Sequence, residues 1–111
     1  MKKMKPDTKV IGVQAEGTPS MYLSWKKKEI VELEKIETIA DGITVKKPGE
    51  LTFSILRKHI DDIVLVNNDE IRQGVRVLFN DFKVVSEFAG ATAISAVISG
   101  KMKAKNKKLY V

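Results

Sequence analysis

Apolar residues along this chain either cluster in short unbroken runs or recur every three to four residues. Lys9-Val10-Ile11-Gly12-Val13-Gln14 is a short β-branched run closed by Ala15-Glu16-Gly17, which predicts a buried strand and then a turn. Pro6 ends anything helical before it. Ile63-Val64-Leu65-Val66, set off by Asp61-Asp62, predicts a second strand. Helical spacing appears three times. Pro19 to Lys26 makes a short helix with the proline near its first turn, where a missing N–H does no harm. Pro48-Gly49-Glu50 opens a second helix to about Ile60, with Leu51, Ile55 and Leu56 on one face and Phe53 and Ile60 widening the stripe. A third follows Asn67, where Ile71, Val75, Leu78, Phe79 and Phe82 form an i, i+4, i+7, i+8, i+11 series. Asn67 with Glu70 reads as a capping box, and Val66 with Ile71 as a hydrophobic staple.

Two stretches follow neither pattern. Glu29 to Lys47 alternates single charges with Val, Ile and Leu, which predicts extended loop with short strand pieces. Val84 to Ser99 holds one charge, Glu87, among small and branched apolar residues, which predicts a helix buried on all sides and capped by Gly100. Leu109-Tyr110-Val111 predicts the start of a third strand. The fold class expected is α/β: a partial three-layer unit, its short, mostly parallel sheet flanked by helices. A buried helix with so few partners and so brief a last strand suggest one α/β segment, residues 1–111, cut from a larger domain.

Composition narrows the class. At 111 residues the chain is no longer than one domain. It has no cysteine, which removes disulfides, thiolate metal sites and a cysteine nucleophile. No apolar run approaches the ~18 residues of a membrane span, and the lysine-rich start has no apolar core, so a cytoplasmic chain is expected. The net charge of +6 hints at nucleic acid, but it sits at the ends. Lys2, Lys3, Lys5 and Lys9 face only Asp7, and Lys101, Lys103, Lys105, Lys107 and Lys108 face no acid. The body between holds 11 basic and 13 acidic residues, so solvated ends are the better reading than a nucleic-acid partner.

Few side chains suggest chemistry. The single histidine, His59, has no sequence partner for a metal site or a triad. No glycine-rich nucleotide loop occurs. Glu16 follows a strand, where α/β proteins place ligands, although its pattern alone favours a turn carboxylate. Glu87 opens the apolar stretch, either as a functional acid that must be paired or as a helix cap.

Four ordered motifs carry a resemblance. Val10 to Met21, Thr38 to Lys46 followed by Pro48-Gly49-Glu50-Leu51-Thr52-Phe53, Asp61-Asp62-Ile63-Val64, and Val84-Val85-Ser86-Glu87-Phe88-Ala89-Gly90-Ala91 resemble, in this order, the later part of the catalytic domain of threonine dehydratases (threonine ammonia-lyases). Serine racemases share much of the pattern. The resemblance implies a piece of the tryptophan-synthase-β-like fold and a pyridoxal-phosphate cofactor. In the family a lysine holds that cofactor, L-threonine or L-serine loses its β-hydroxyl, and a 2-oxo acid and ammonia result. It further implies a place for Gly42 against the cofactor ring and for Glu87 near it. Glu16 and the backbone of Ser20 match positions that hold a divalent cation in some members. Tyr22 stands where an aspartate is expected, and Phe88 where the family has Pro or Gly.

The family's S-x-K-x-R, G-G-G-G-L and S-G-G-N motifs do not occur in these 111 residues. The expectation is therefore a catalytically incompetent segment with no catalytic residue of its own. Its partners would be the remainder of the catalytic domain, or a second copy of itself, and the parent enzyme would take an amino-acid substrate. The alternative is a self-associating, non-catalytic α/β binding or structural module.

Overall fold

Strand β1, Ile11–Ala15, pairs in parallel with β2, Asp62–Val66, in the register Ile11 opposite Asp62 through Ala15 opposite Val66. A parallel pair needs a long crossover. Here it contains helix α1, Ser20–Lys27, a loop with one 3-10 turn at Asp41–Ile43, and α2, Glu50–His59. After β2 come α3, Asn68–Phe82, and α4, Thr92–Ile98. This computed structural model describes residues 3–103 and 108–111. Lys2, Lys105 and Lys107 of the lysine-rich ends lie outside the described residues.

Alternation along the strands assigns the two faces of the sheet. Val13, Ala15, Val64 and Val66 pack with Ile71 and Ala96 of α3 and α4, with Ala40, and with Met102. Gly12 and Ile63 turn the other way, toward Ile60 at the end of α2, while Gln14 accepts a bond from the Tyr22 amide of α1 at 2.9 Å. The result is the three-layer α/β arrangement, with two strands in its sheet. Where α4 crosses α3, a methyl group at Gly74 would overlap Ser95 Oγ. The close approach requires the glycine, which otherwise weakens a helix by about 1 kcal/mol.

The capping box forms. The Asn67 side chain accepts from the Glu70 amide at 2.9 Å, and the Glu70 carboxylate accepts from the Asn67 amide at 2.8 Å. Val66 and Ile71 are both fully buried. Lys101 adds an anchor, its Nζ bonding Leu65 O at 2.8 Å and Glu70 Oε2 at 2.9 Å. Asn67→Ala is expected to cost about 1 kcal/mol, the usual worth of such a cap. A urea midpoint equal to that of the parent chain would contradict this.

Four expectations need correction. The stripe on α2 does not face the core: Leu51 and Ile55 are 73% and 51% exposed, and only Phe53 is buried. Periodicity identifies the helix but not what covers it. Residues 29–47 form no strand pieces; their backbone is held singly, as by Leu33 N–H to Lys46 O at 2.9 Å. The apolar helix is half its expected length, because α3 runs to Phe82 and residues 83–91 are needed to turn the chain back. Within α4 itself no residue is exposed, and Gly100 ends it with φ +75°. Residues 109–111 are not a strand; Tyr110 and Val111 are 75% and 69% exposed.

Candidate functional site

Because β1 and β2 are parallel, their carboxyl ends emerge side by side, the usual ligand position of α/β sheets. Glu16 and Gly17 leave β1 there, and Asn67 and Asn68 leave β2. With Glu37 they line a cavity of about 210 Å³. The Glu16 amide donates to Val66 O at 2.8 Å, which ties the two turns together.

A second cavity, of about 280 Å³, opens beside the 3-10 turn. Ile39 and Asp41 line it from the loop, Val75 from α3, and Ser86, Glu87, Phe88 and Ala89 from the segment before α4. Gly42, next to the lining residue Asp41, packs beside Glu87 and Ala89 from a position far away in sequence. A Cβ at Gly42 would stand 3.0 Å from Ala89 Cβ and 3.8 and 3.9 Å from the Glu87 carboxylate oxygens. The bare glycine therefore permits the close approach of the turn to Ala89 and to the Glu87 carboxylate.

The loop bearing Gly42 is fastened at both ends. Ile39 N–H donates to Asn68 Oδ1 at 3.2 Å, and Ala40 is fully buried. Thr44 Oγ1 donates to Ala40 O at 3.2 Å, and Ser20 Oγ to Val45 O at 2.6 Å. Nothing in the sequence marks Asn68 as a functional position; its role follows only from the contact with Ile39, 29 residues away.

Glu87 differs from its sequence reading. It does not begin α4; its carbonyl accepts from Ala91 in the turn ahead of that helix, at 3.2 Å. Its side chain is exposed, and no described residue pairs with the carboxylate. Water rather than a protein partner solvates it, so the burial argument does not apply. His59 ends α2 on the surface, away from either cavity.

Glu16 and Ser20 do not make a cation site together. Ser20 is fully buried, with its hydroxyl on Val45 O and its carbonyl accepting from Ser24 Oγ at 2.6 Å. Tyr22 has its ring under the Lys26 ammonium, 5.7 Å from the centroid, so a positive charge stands beside the place of the missing carboxylate. Among the described residues no three acidic or histidine side chains converge as a metal would need. These residues do not fit a divalent cation.

Comparison with known proteins gives a consistent picture. The family model described as "Pyridoxal-phosphate dependent enzyme" matches residues 1–111. The chain is 44% identical over all of its length to the L-threonine ammonia-lyase of Thermotoga maritima, of which it covers 27%. It is 45% identical over 92% of its length to the catabolic L-threonine dehydratase of Escherichia coli, of which it covers 31%. The chain thus spans somewhat under a third of these curated relatives. Among solved structures, a threonine deaminase from T.th. superposes with a TM-score of 0.86 at 35% identity, covering 90% of this chain and 37% of that one. Maize serine racemase superposes with a TM-score of 0.86 at 26% identity, covering 90% of this chain and 31% of that one.

Proposed function

We propose, given that the chain belongs to the pyridoxal-phosphate dependent enzyme family, that it is the segment of a threonine or serine dehydratase that walls one side of the cofactor cavity. The observation that carries this reading is the packing of the Gly42 turn against Ala89 and Glu87, two residues that line the cavity of about 280 Å³. Identity of 44% to a threonine ammonia-lyase over the whole chain supports the substrate class, a β-hydroxy amino acid converted to a 2-oxo acid and ammonia.

Pyridoxal phosphate, when bound, supplies the electron sink that makes an amino acid's α-proton removable. The residues of this chain that would hold it are Gly42 and Glu87. Gly42 offers a backbone without a side chain, so a planar ring can lie flat on the turn. Glu87 presents an unpaired carboxylate, an acceptor for a donor at the ring's edge. Phe88, Ala89 and Val75 exclude water from the apolar wall.

The chain by itself binds no cofactor tightly and turns over no substrate, because the family's lysine and phosphate-loop motifs are not among its residues. Leu51, Ile55, Phe79, Phe82 and Val85, all exposed, support a further polypeptide surface packing on α2 and on the end of α3. The same exposure supports self-association as the second reading. Sedimentation that depends on concentration favours that reading, and a monomer at all concentrations counts against it.

The test is a graft. Residues 1–111 replace the matching part of the Thermotoga maritima enzyme, and 2-oxo acid release from L-threonine and L-serine is assayed. Turnover within about tenfold of the host is expected, a loss of no more than about 1.4 kcal/mol in transition-state stabilisation. A folded, cofactor-loaded graft that acts on neither amino acid overturns the proposal.

A further inference from the structure

We infer that Asn68 is a positioning residue that sets the place of Gly42 against Glu87; the functional weight of this inference rests on the cofactor reading above. The loop from Glu29 to Lys47 has one 3-10 turn and no strand to hold it, so its course depends on single bonds. Asn68 Oδ1 collects two of them. The Ile39 amide donates to it at 3.2 Å, and Thr38 Oγ1 approaches it at 3.5 Å. Thr38 Oγ1 in turn accepts from the Ala40 amide at 3.1 Å. Three consecutive residues are thereby registered on one side-chain oxygen.

The register passes directly to the cavity. Ala40 is fully buried against Ala15, Val66, Ile71 and Ala96. Its carbonyl then accepts from the Ile43 amide at 3.1 Å, which closes the turn that presents Gly42. Asn68 is also the first residue of α3, the helix whose Val75 lines the same cavity from the opposite side. Its own backbone is fixed by the neighbouring Asn67–Glu70 capping box. One carboxamide therefore references the loop wall to the helix wall. A residue that merely filled space at the helix start would not gather donors from two loop residues.

Amide hydrogen exchange on the chain tests this without cofactor or turnover. Asn68→Ala is expected to speed exchange at Ile39, Ala40 and Ile43 by about tenfold, the effect of losing a shared acceptor. Exchange at Ile71 and Val66 in the core stays unchanged. Asn68→Asp, which keeps an acceptor oxygen at the same place, restores protection. Thr38→Val, which leaves α3 untouched, speeds Ala40 more than Ile39. Unchanged loop exchange in Asn68→Ala overturns the inference, as does an Ile39 amide already unprotected in the parent chain. An Asn68→Asp chain no better than Asn68→Ala also overturns it. These outcomes are separable from failure of the dehydratase reading, which the graft's turnover alone decides.

Discussion

Gly17→Ala will undock the Glu37 segment and destabilise the chain by about 3 kcal/mol, the upper end of the ordinary cost of overpacking. Gly17 needs no special backbone conformation; the cause is space. A methyl group there would overlap the carbonyl oxygen of Glu37, which is main chain and cannot rotate away. The same approach is made by a bond from the Glu37 amide to Gly17 O at 3.0 Å, so moving Glu37 also breaks that bond. Because Glu37 leads into Thr38 and the loop of Gly42, the disturbance reaches both cavities. Domains of this size are stable by only about 5–15 kcal/mol, so the loss is a large share. Gly49→Ser is the control. Its nearest neighbour to a new Cβ is Thr52 Oγ1 at 3.6 Å, an ordinary contact, and serine suits its helix-capping position. The urea midpoint should fall sharply for Gly17→Ala and stay level or rise for Gly49→Ser. Equal midpoints would refute the steric argument.

Gly42→Val is the counterpart at the site. In the graft it should weaken pyridoxal phosphate binding by roughly 10–100-fold, the equivalent of about 1–3 kcal/mol of overpacking. Its branched methyl groups enter the space between the turn and Glu87. Gly42 is exposed in this chain and its φ is not in the left-handed region, so within the fold the change is opposed by the close approach to Ala89 and not by the backbone. The measurement is equilibrium cofactor binding beside thermal unfolding of the apo protein. Lost affinity with little change in unfolding fits the proposal. Unchanged affinity would remove Gly42 from the cofactor's surroundings.

What can be read from the sequence is local. Asn67 and Glu70, three residues apart, specify their capping box wherever the helix lies. The series Ile71, Val75, Leu78 specifies α3, and the β-branched runs specify both strands. The four ordered motifs specify the family. Leu51 and Ile55 mislead because periodicity reports only that a face is apolar. It does not report whether anything covers that face. Glu87 misleads for a related reason: an uncharged neighbourhood along the chain is not a dry neighbourhood in space.

The sequence by itself determined both strands, helices α1 to α3, the cap that starts α3, and membership of a pyridoxal-phosphate dependent family. Each rests on neighbours a few residues apart, or on motifs read in order. Only the tertiary structure decided that Gly42 faces Glu87, that Gly17 is reserved for Glu37, and that Asn68 rather than Asn67 holds the loop. These are meetings of segments tens of residues apart. Chain connectivity and hydrophobic burial bring such segments together, and no local propensity encodes the space between them.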